Sequence, residues 1–315
     1  MERRTGSGLH LLVSGAGGLI GSALLSRLTG EGHRVTRLTR GAAAPGAVSW
    51  DPGGGALDLG RLDAVDGVVH LAGENIGQRW TSSRKTRIRD SRIKGTRILA
   101  EALARLNPPP PVLLSASAVG IYGDRGDEVL TESSAAGNPR DDFLVAVCLD
   151  WEAAAEPARQ AGIRVVHPRF GVVLSREGGA LRKLLLPFRL GLGGRQGSGA
   201  QWMSWVAIDD VVGIILRLLT EQRMNGPVNV TAPEPVVNRD FMQSLGRVLR
   251  RPTPFALPAA GLRLAFGEMA QRTLLAGARV YPAKLLDAGY RFEHPTLEGA
   301  LRHVLGARPG SSFLE

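Results

Sequence analysis

The stretch Leu9-His-Leu-Leu-Val-Ser-Gly15-Ala-Gly-Gly18-Leu-Ile-Gly21 decides the fold. A short apolar run, typical of a buried strand, ends in a glycine-rich turn, and the following residues place apolar side chains at helical spacing. Backbone N–H groups at the start of such a helix face outward and its dipole favours negative charge, so the turn suits a pyrophosphate. The predicted dinucleotide contacts are Gly15, Gly17, Gly18, Leu19, Ile20 and Gly21.

The spacing of the glycines is G-x-x-G-x-x-G with Gly17 extra, a variant of the dinucleotide fingerprint G-x-G-x-x-G. A side chain at Gly15 or Gly18 would hinder close approach of a ligand, and Gly21 lets the helix pack on the strand. The alternative is a chance turn in a chain with 41 glycines. The strand before the turn, the helix after it and a second strand at residues 34–39 favour the dinucleotide interpretation.

The end of the second predicted strand indicates which dinucleotide is bound. An NAD site places a carboxylate here to accept hydrogen bonds from the ribose 2′-OH. Residues 34–46 contain no Asp or Glu, and Thr39 and Arg40 stand at the strand end instead. A guanidinium pairs with a phosphate through two parallel hydrogen bonds. We therefore predict NADP as the cofactor, with Thr39 and Arg40 at its 2′-phosphate; a surface arginine in an arginine-rich chain is the alternative.

Length and composition limit the class of protein. The chain has 315 residues, of which 43% are hydrophobic, enough for a sizeable core in one large or two modest domains. A single cysteine, Cys148, excludes an internal disulfide and indicates a reducing compartment. The N-terminus shows no apolar signal core, and no run approaches the ~18 apolar residues of a membrane span. We expect a cytoplasmic protein without a membrane partner.

The net charge of +10 raises the question of a nucleic-acid partner. Only four of the 39 basic residues are lysines, and this arginine bias is typical of GC-rich coding. The sequence shows neither zinc-ligand spacing nor an aromatic-basic RNA motif. We therefore predict no nucleic-acid partner and no metal site.

The order of the remaining patterns predicts the architecture. Strand patterns near residues 48–51, 67–73, 112–117 and 163–167 alternate with helical patterns at 82–106 and 143–162. Six strands with intervening helices predict a Rossmann-type α/β fold, a doubly wound parallel sheet with its ligand at the carboxyl ends of the strands. The rhythm changes after residue 168. We expect residues 1–168 to form the Rossmann domain, to which some later segments return, and residues 169–315 to form a smaller, mostly helical substrate-side part.

Motifs spread over nearly the whole chain match one family. The chain resembles the extended short-chain dehydrogenase/reductase superfamily and, within it, the atypical "epimerase family" proteins with an extra C-terminal domain of unknown function. This resemblance implies a Rossmann fold, an NADP-type cofactor with further contacts at Leu71, Ala72, Gly73 and Arg169, and an unassigned substrate. The matching stretches include Gly15–Gly21, Leu71–Ile76, Arg79–Thr81, Asp90–Arg92, Ser115–Gly123, Trp151–Glu152, Arg169–Leu174, Leu186–Gly194, Asp209–Val211, Asn229–Pro233 and Gly267–Ala270.

The resemblance also implies a catalytic set that this chain lacks in part. Active members use Ser, Tyr and Lys, with Tyr and Lys at i and i+4 because these positions share one helix face. Aligned on the Trp-Glu pair at 151–152, those positions fall near Leu144 and Cys148, which cannot perform the proton transfer. Cys148 fits a small buried side chain better than a reactive thiolate.

Two residues remain as predicted catalytic groups. Ser117 lies at a strand end where the family's serine lies, and Ser115 is the near alternative. Tyr122 is the nearby phenol that can substitute as a proton donor. The competing interpretations are a hydroxyl that caps a backbone group at Ser117 and a core aromatic at Tyr122.

Charged residues near the predicted strand ends complete the candidates. Arg79, Arg84 and Arg92 belong to a basic stretch that is either a solvated helix face or a surface that meets an anionic substrate or a cofactor phosphate. Asp209 is expected to cap the helix that follows it. The sequence thus supports two functions. One is an NADP(H)-binding oxidoreductase or epimerase-like enzyme with a non-standard catalytic set and a small, anionic substrate; the other is a non-catalytic NADP(H) sensor. The sequence does not indicate the oligomeric state.

Overall fold

The computed structural model describes residues 8–41, 45–53, 55, 57–60 and 62–306. Residues 1–7, in which the sequence shows no apolar signal core, lie outside these ranges. Residues 42–44, which belong to the segment 34–46 without Asp or Glu, also lie outside them. In the described part, no helix has the length and apolar character needed to cross a bilayer.

A parallel sheet forms the centre of the molecule. Its strands follow the spatial order β13-β8-β5-β4-β1-β2-β3, and β6 continues beside β8. The order reverses at β1, so β1 and β4 flank the switch point where a doubly wound sheet binds its ligand. The strands, in chain order, are β1 His10–Ser14, β2 Arg34–Thr39, β3 Ala47–Ser49, β4 Gly67–His70, β5 Val112–Ser115, β6 Ser117–Ala118, β7 Val129–Leu130, β8 Arg164–Phe170, β9 Val172–Leu174, β10 Gly194–Gln196, β11 Trp202–Met203, β12 Trp205–Ala207, β13 Gly226–Val230, β14 Val236–Val237, β15 Phe255–Leu257 and β16 Arg279–Val280.

Helices cover both faces of the sheet, and alternation along the strands assigns each side chain to a face. In β1, Leu11 and Val13 pack on one face with α1 and α6, whereas Leu12 packs on the other with α2 and α4. Both faces are buried, which explains the continuous apolar runs of the strands. The helices are α1 Leu19–Gly30, α2 Ser82–Ala104, α3 Phe143–Ala153, α4 Glu156–Gln160, α5 Gly179–Arg189, α6 Ile208–Thr220, α7 Asn238–Leu249, α8 Ala259–Phe266, α9 Ala283–Asp287 and α10 Leu297–Leu305, with a 3-10 turn at Val119–Tyr122 and a π turn at Ala270–Leu274.

Three sequence-based expectations change in detail. The helix expected over residues 143–162 is two helices, α3 and α4. The chain turns at residues 154–155, and Pro157 lies in the first turn of the second helix, where its missing N–H costs least. The sheet has more than six strands, since β13 comes from the later half of the chain. The N-cap expected at Asp209 is wrong: α6 begins at Ile208 after Ala207, and no side chain caps it.

The later half of the chain contributes to the sheet and also builds its own core. Strand β8 runs through the boundary expected after residue 168, and β13 pairs with it. Helices α5, α7 and α10 pack with β12 into a second apolar cluster. Near the C-terminus, β16 pairs in parallel with β7 from the first half.

Candidate functional site

The glycine turn between β1 and α1 forms a cradle. Gly15 adopts a φ of +68°, and a Cβ there would lie 2.6 Å from the carbonyl carbon of Leu71. A Cβ at Gly21 would lie 2.2 Å from the Gly15 oxygen, so both positions require glycine. A Cβ at Gly17 would meet nothing within 4 Å, and one at Gly18 only the Gly15 oxygen at 3.2 Å. These two exposed glycines therefore leave open space at the start of α1.

The N-terminus of α1 provides the polar surface of this cradle. Gly18 is the N-cap residue, and no side chain accepts from the first turn. The N–H groups of Leu19, Ile20 and Gly21 lie in that turn, where an α-helix offers no internal acceptor. A second helix N-terminus lies close by, because a Cβ at Gly178, the N-cap of α5, would lie 3.1 Å from the Leu19 side chain. Sequence reasoning missed Gly178, since it comes from the other half of the chain.

The end of β2 lies beside this cradle. β1 and β2 pair in parallel with Ser14 opposite Leu38, so both strands end at the same edge. Thr39 is the last residue of β2, and Arg40 follows it with an exposed side chain. The predicted 2′-phosphate contacts thus emerge at the edge of the sheet that carries the glycine cradle.

A buried hydrogen-bond network supports the strand ends at the switch point. The Ser14 hydroxyl lies 2.6 Å from Nδ1 of His70, and Nε2 of His70 lies 3.0 Å from Oγ1 of Thr96. Trp151 also donates to that Thr96 oxygen. Burial lowers the pKa of His70 to about 4, so its ring is neutral at pH 7. The network ties β1, β4, α2 and α3 together next to the turn at Leu71, Ala72 and Gly73.

Ser117 belongs to a buried ion-pair cluster. Its hydroxyl donates to Oε1 of Glu152 over 2.7 Å. Arg169 donates to both oxygens of Glu152, from Nε over 2.8 Å and from Nη2 over 2.9 Å. Burial opposes ionisation of Glu152, but the hydrogen bonds and charge of Arg169 outweigh it and hold its pKa below the usual value. This geometry directs the Ser117 hydrogen at Glu152, while Ser115 is buried and its Oγ has no protein partner among the described residues.

Tyr122 extends the same cluster. Its hydroxyl accepts from Nη1 of Arg169 over 2.9 Å and donates to Oδ1 of Asn229 over 2.8 Å. The ring is fully buried, and burial raises the pKa of Tyr122 against the opposing charge of Arg169. The catalytic roles of Ser117 and Tyr122 and the cofactor contact of Arg169 stay predictions, because the hydrogen bonds of all three side chains join them into one cluster through Glu152.

A cation stands where the family's lysine is missing. Cys148 is buried, as expected, and burial raises its pKa to about 12 although nearby Arg92 opposes this shift. Arg92 comes from α2 and donates to the backbone oxygen of Glu74 over 3.0 Å. Its guanidinium lies 5.0 Å from the Trp151 ring, and a Cβ at Gly73 would lie 3.2 Å from its central carbon. Arg92 therefore places positive charge between the Gly73 turn and the lysine position.

The other two arginines singled out in the sequence contact neighbouring segments. Nη1 of Arg79 donates to the Leu264 oxygen over 2.8 Å, and Arg84 donates to the Gln78 side chain. Directly after Arg84, Lys85 pairs with Glu268 over 2.9 Å. The start of α2 is thus held against the C-terminal part of the chain, and Arg92 alone of the three reaches the Gly73 turn.

A dinucleotide fits this arrangement of the sheet order, the two required glycines and the open cradle at the α1 N-terminus. The cradle allows close backbone approach and offers unpaired N–H groups. Residues 11–231 match the model of the NAD dependent epimerase/dehydratase family. The chain belongs to the NAD-dependent epimerase/dehydratase family. Residues 257–304 match a second model, a domain of unknown function (DUF1731). The predictions of the family and of a Rossmann-type fold are confirmed. This chain is an epimerase-family NAD(P)-binding protein.

Relatives and solved structures are similar to this epimerase-family chain over most of its length. It is 44% identical over 300 residues to the epimerase family protein Mb2239 of Mycobacterium bovis, covering 95% of this chain and 98% of that protein. The crystal structure of human epimerase family protein SDR39U1 with NADPH has a TM-score of 0.87 and 36% identity, covering 95% of this chain and 99% of that one. A nucleoside-diphosphate sugar epimerase from Corynebacterium glutamicum has a TM-score of 0.79 and 39% identity, covering 96% and 59% respectively.

Proposed function

We propose that this epimerase-family protein is an NADP(H)-binding oxidoreductase or epimerase-like enzyme that acts on a small anionic molecule. The open cradle at Gly17 and Gly18 beside exposed Arg40 is the observation that carries the proposal. The human relative solved with NADPH supports the choice of cofactor. When bound, the nicotinamide supplies or accepts a hydride. A cytoplasmic location is part of the proposal, because the chain has a single, buried, free cysteine.

Arg40 is the residue that distinguishes the two nicotinamide cofactors in this proposal. A carboxylate at the end of β2 would favour the 2′-OH of NAD and repel a phosphate, whereas a guanidinium binds the phosphate through charge-assisted hydrogen bonds. Arg40 is exposed and directly follows β2, next to Thr39, whose hydroxyl can donate to the same group. The cost of desolvating this arginine is small because it lies at the surface.

Replacing Arg40 by alanine is expected to weaken NADPH binding about tenfold or more, on the scale of ~1.4 kcal/mol per decade, and to leave NADH binding nearly unchanged. Calorimetric titration of both nucleotides measures the difference. Arg223→Ala is the matched control, because Arg223 is exposed in the turn between α6 and β13, at the opposite edge of the sheet. Equal losses for NADPH and NADH, or tighter binding of NADH by the parent, would refute the assignment.

We infer that Arg92 holds negative charge of the substrate or of a cofactor phosphate. Its guanidinium is fixed by hydrogen bonds from Nη1 to the Glu74 and Ile88 backbone oxygens and by its position over Trp151. Burial lowers the pKa of Arg92 below its ordinary value, but a guanidinium stays charged at neutral pH. A fixed, partly desolvated cation next to Gly73 favours an anion more strongly than a surface arginine would.

A second function is supported by a different observation. Leu144 and Cys148 occupy the positions of the tyrosine and the lysine, and the hydroxyls of Ser117 and Tyr122 donate to Glu152 and Asn229. A protein that binds NADP(H) without turnover, as a sensor of its redox state, is consistent with this arrangement. A measurement of turnover distinguishes the two functions, since both predict that the protein binds the nucleotide.

Incubation with NADPH deuterated at the transferred position and a bacterial small-molecule extract is expected to place deuterium in at least one anionic product, detected by mass spectrometry. Arg92→Met keeps an unbranched side chain at this position and removes the charge, so we expect the labelling rate to fall about tenfold or more. Tyr122→Phe tests the predicted proton donor in the same assay. Tight NADPH binding by calorimetry without any deuterium transfer would exclude net reduction of a substrate by NADPH and would favour the sensor.

A further inference from the structure

Three potential metal ligands from distant parts of the sequence meet at the C-terminal helix. Asp209 lies in the first turn of α6, His294 in the loop before α10, and His303 in the last turn of α10. Nε2 of His303 lies 3.1 Å from Oδ2 of Asp209, and the two imidazole rings stack with centroids 4.0 Å apart at 26°. One ligand atom from each of the three residues lies within 4.8 Å of the others.

The loop that carries His294 is held in place by the neighbouring carboxylate. Asp210 is fully buried and accepts from the backbone N–H of Glu293 over 2.7 Å and of His294 over 3.1 Å. The Tyr290 hydroxyl donates to the Asp210 backbone oxygen over 3.3 Å. Because these contacts fix the backbone at His294 against the first turn of α6, the loop that carries His294 stays beside Asp209 without a ligand.

An ordinary ion pair does not explain this cluster. The pair of His303 and Asp209 is about half exposed, and exposed pairs contribute little to stability. It leaves His294 unexplained, since Nε2 of His294 is buried and has no hydrogen-bond partner among the described residues. The stacking brings ligand atoms of the two imidazoles and of Asp209 within 4.8 Å of one another. The carboxylates of Asp209, Asp210 and Glu293 add negative charge around them.

We propose that Asp209, His294 and His303 bind a divalent transition-metal ion such as Zn²⁺. Two imidazole nitrogens and one carboxylate oxygen are a ligand set typical of zinc, with water as the fourth ligand on the exposed side of His303. Zinc binds such atoms at ~2.0–2.2 Å in a tetrahedron, so the ligand atoms must approach to about 3.3 Å. Rotation of the exposed His303 and Asp209 side chains provides this movement, because both lie at the surface.

The location of this site suggests what the metal would do. Asp209 lies in the region that matches the epimerase/dehydratase model, whereas His294 and His303 lie in the region that matches the domain of unknown function. The ion would therefore join the C-terminal region to helix α6, which packs against the sheet. The sequence does not reveal the site, because its ligands are separated along the chain and show no short-range spacing.

Calorimetric titration of the metal-free full chain with Zn²⁺ is expected to show one equivalent bound with micromolar or tighter affinity, and added Zn²⁺ is expected to raise the unfolding temperature. His303→Gln and His294→Gln should each weaken Zn²⁺ about tenfold or more, since each removes a ligand. Co²⁺ provides a second readout, because its visible absorption increases when it enters a tetrahedral site.

His33→Gln is the matched control, because His33 is a partly buried histidine near Glu31 at 3.5 Å, outside the cluster. It should bind Zn²⁺ like the parent. If the parent binds no Zn²⁺ in the micromolar range, or if both His303→Gln and His294→Gln retain parental affinity, the site does not exist. Loss of Zn²⁺ binding with unchanged NADPH titration separates this proposal from the proposed function.

Discussion

Replacing Glu152 by alanine is expected to lower the free energy of unfolding by about 3–5 kcal/mol, because it leaves the buried Arg169 charge without its partner. The side chains of Glu152 and Arg169 are only 15% and 9% exposed, so water cannot replace the lost carboxylate. Ser117 loses the acceptor of its hydroxyl in the same variant. Denaturant unfolding of parent and variant measures the difference.

Glu156→Ala is the control for this experiment. Glu156 also pairs with an arginine, Arg159, but both side chains are nearly half exposed, so we expect a loss of about 0–1 kcal/mol. The lowered pKa of Glu152 also sets a pH dependence: its contribution is present at neutral pH and is lost as the pH falls through and below the usual glutamate range. A loss for Glu152→Ala as small as that for Glu156→Ala would show that the cluster is not a stabilising feature.

Replacing Gly18 by valine is expected to weaken NADPH roughly 100-fold, which corresponds to ~2.7 kcal/mol. The backbone at Gly18 has an extended conformation, φ −80° and ψ 174°, that valine adopts readily. Its Cβ would meet only the Gly15 oxygen at 3.2 Å, so the fold tolerates the change while the side chain fills the cradle. Nucleotide fluorescence titration measures the affinity. Gly21→Ala is a poor substitute, because its Cβ would collide with the backbone and destabilise the protein.

Gly30→Val is the matched control for this prediction. Gly30 is exposed at the other end of the same helix, and a Cβ there would meet nothing within 4 Å. The two variants carry the same β-branched residue at opposite ends of α1, so a difference between them reports on the cradle. Parental NADPH affinity in Gly18→Val, with the variant folded, would move the pyrophosphate away from this turn.

Local patterns predicted the parts of this protein that local physics determines. The apolar run before Gly15 and the helix after it follow from side-chain periodicity, which is why the strand–turn–helix unit was predicted correctly. The same holds for α2, whose start at Ser82 was predicted and whose end at Ala104 lies two residues before the prediction. The family resemblance rested on motifs of this local kind.

The rest depends on contacts between residues far apart in the chain. The sequence around Cys148 contains no cation, and Arg92, which lies near it, comes from another helix. The expected cap at Asp209 failed because its carboxylate lies within the first turn of α6 and faces His303 instead. The pairing of Glu152 with Arg169 was likewise invisible, since neither residue carries a local signal of burial.

The position of β13 affects how the polypeptide acquires its structure during synthesis. This strand covers the outer edge of β8, yet it follows β8 after two helices and several short strands. Until the ribosome has delivered residue 230, β8 has an open edge that can pair with other chains. Pairing partners so far apart in sequence slow productive folding and lengthen this exposure. We therefore expect chaperones that bind nascent chains to be needed most after β8 has been synthesised and before β13 has.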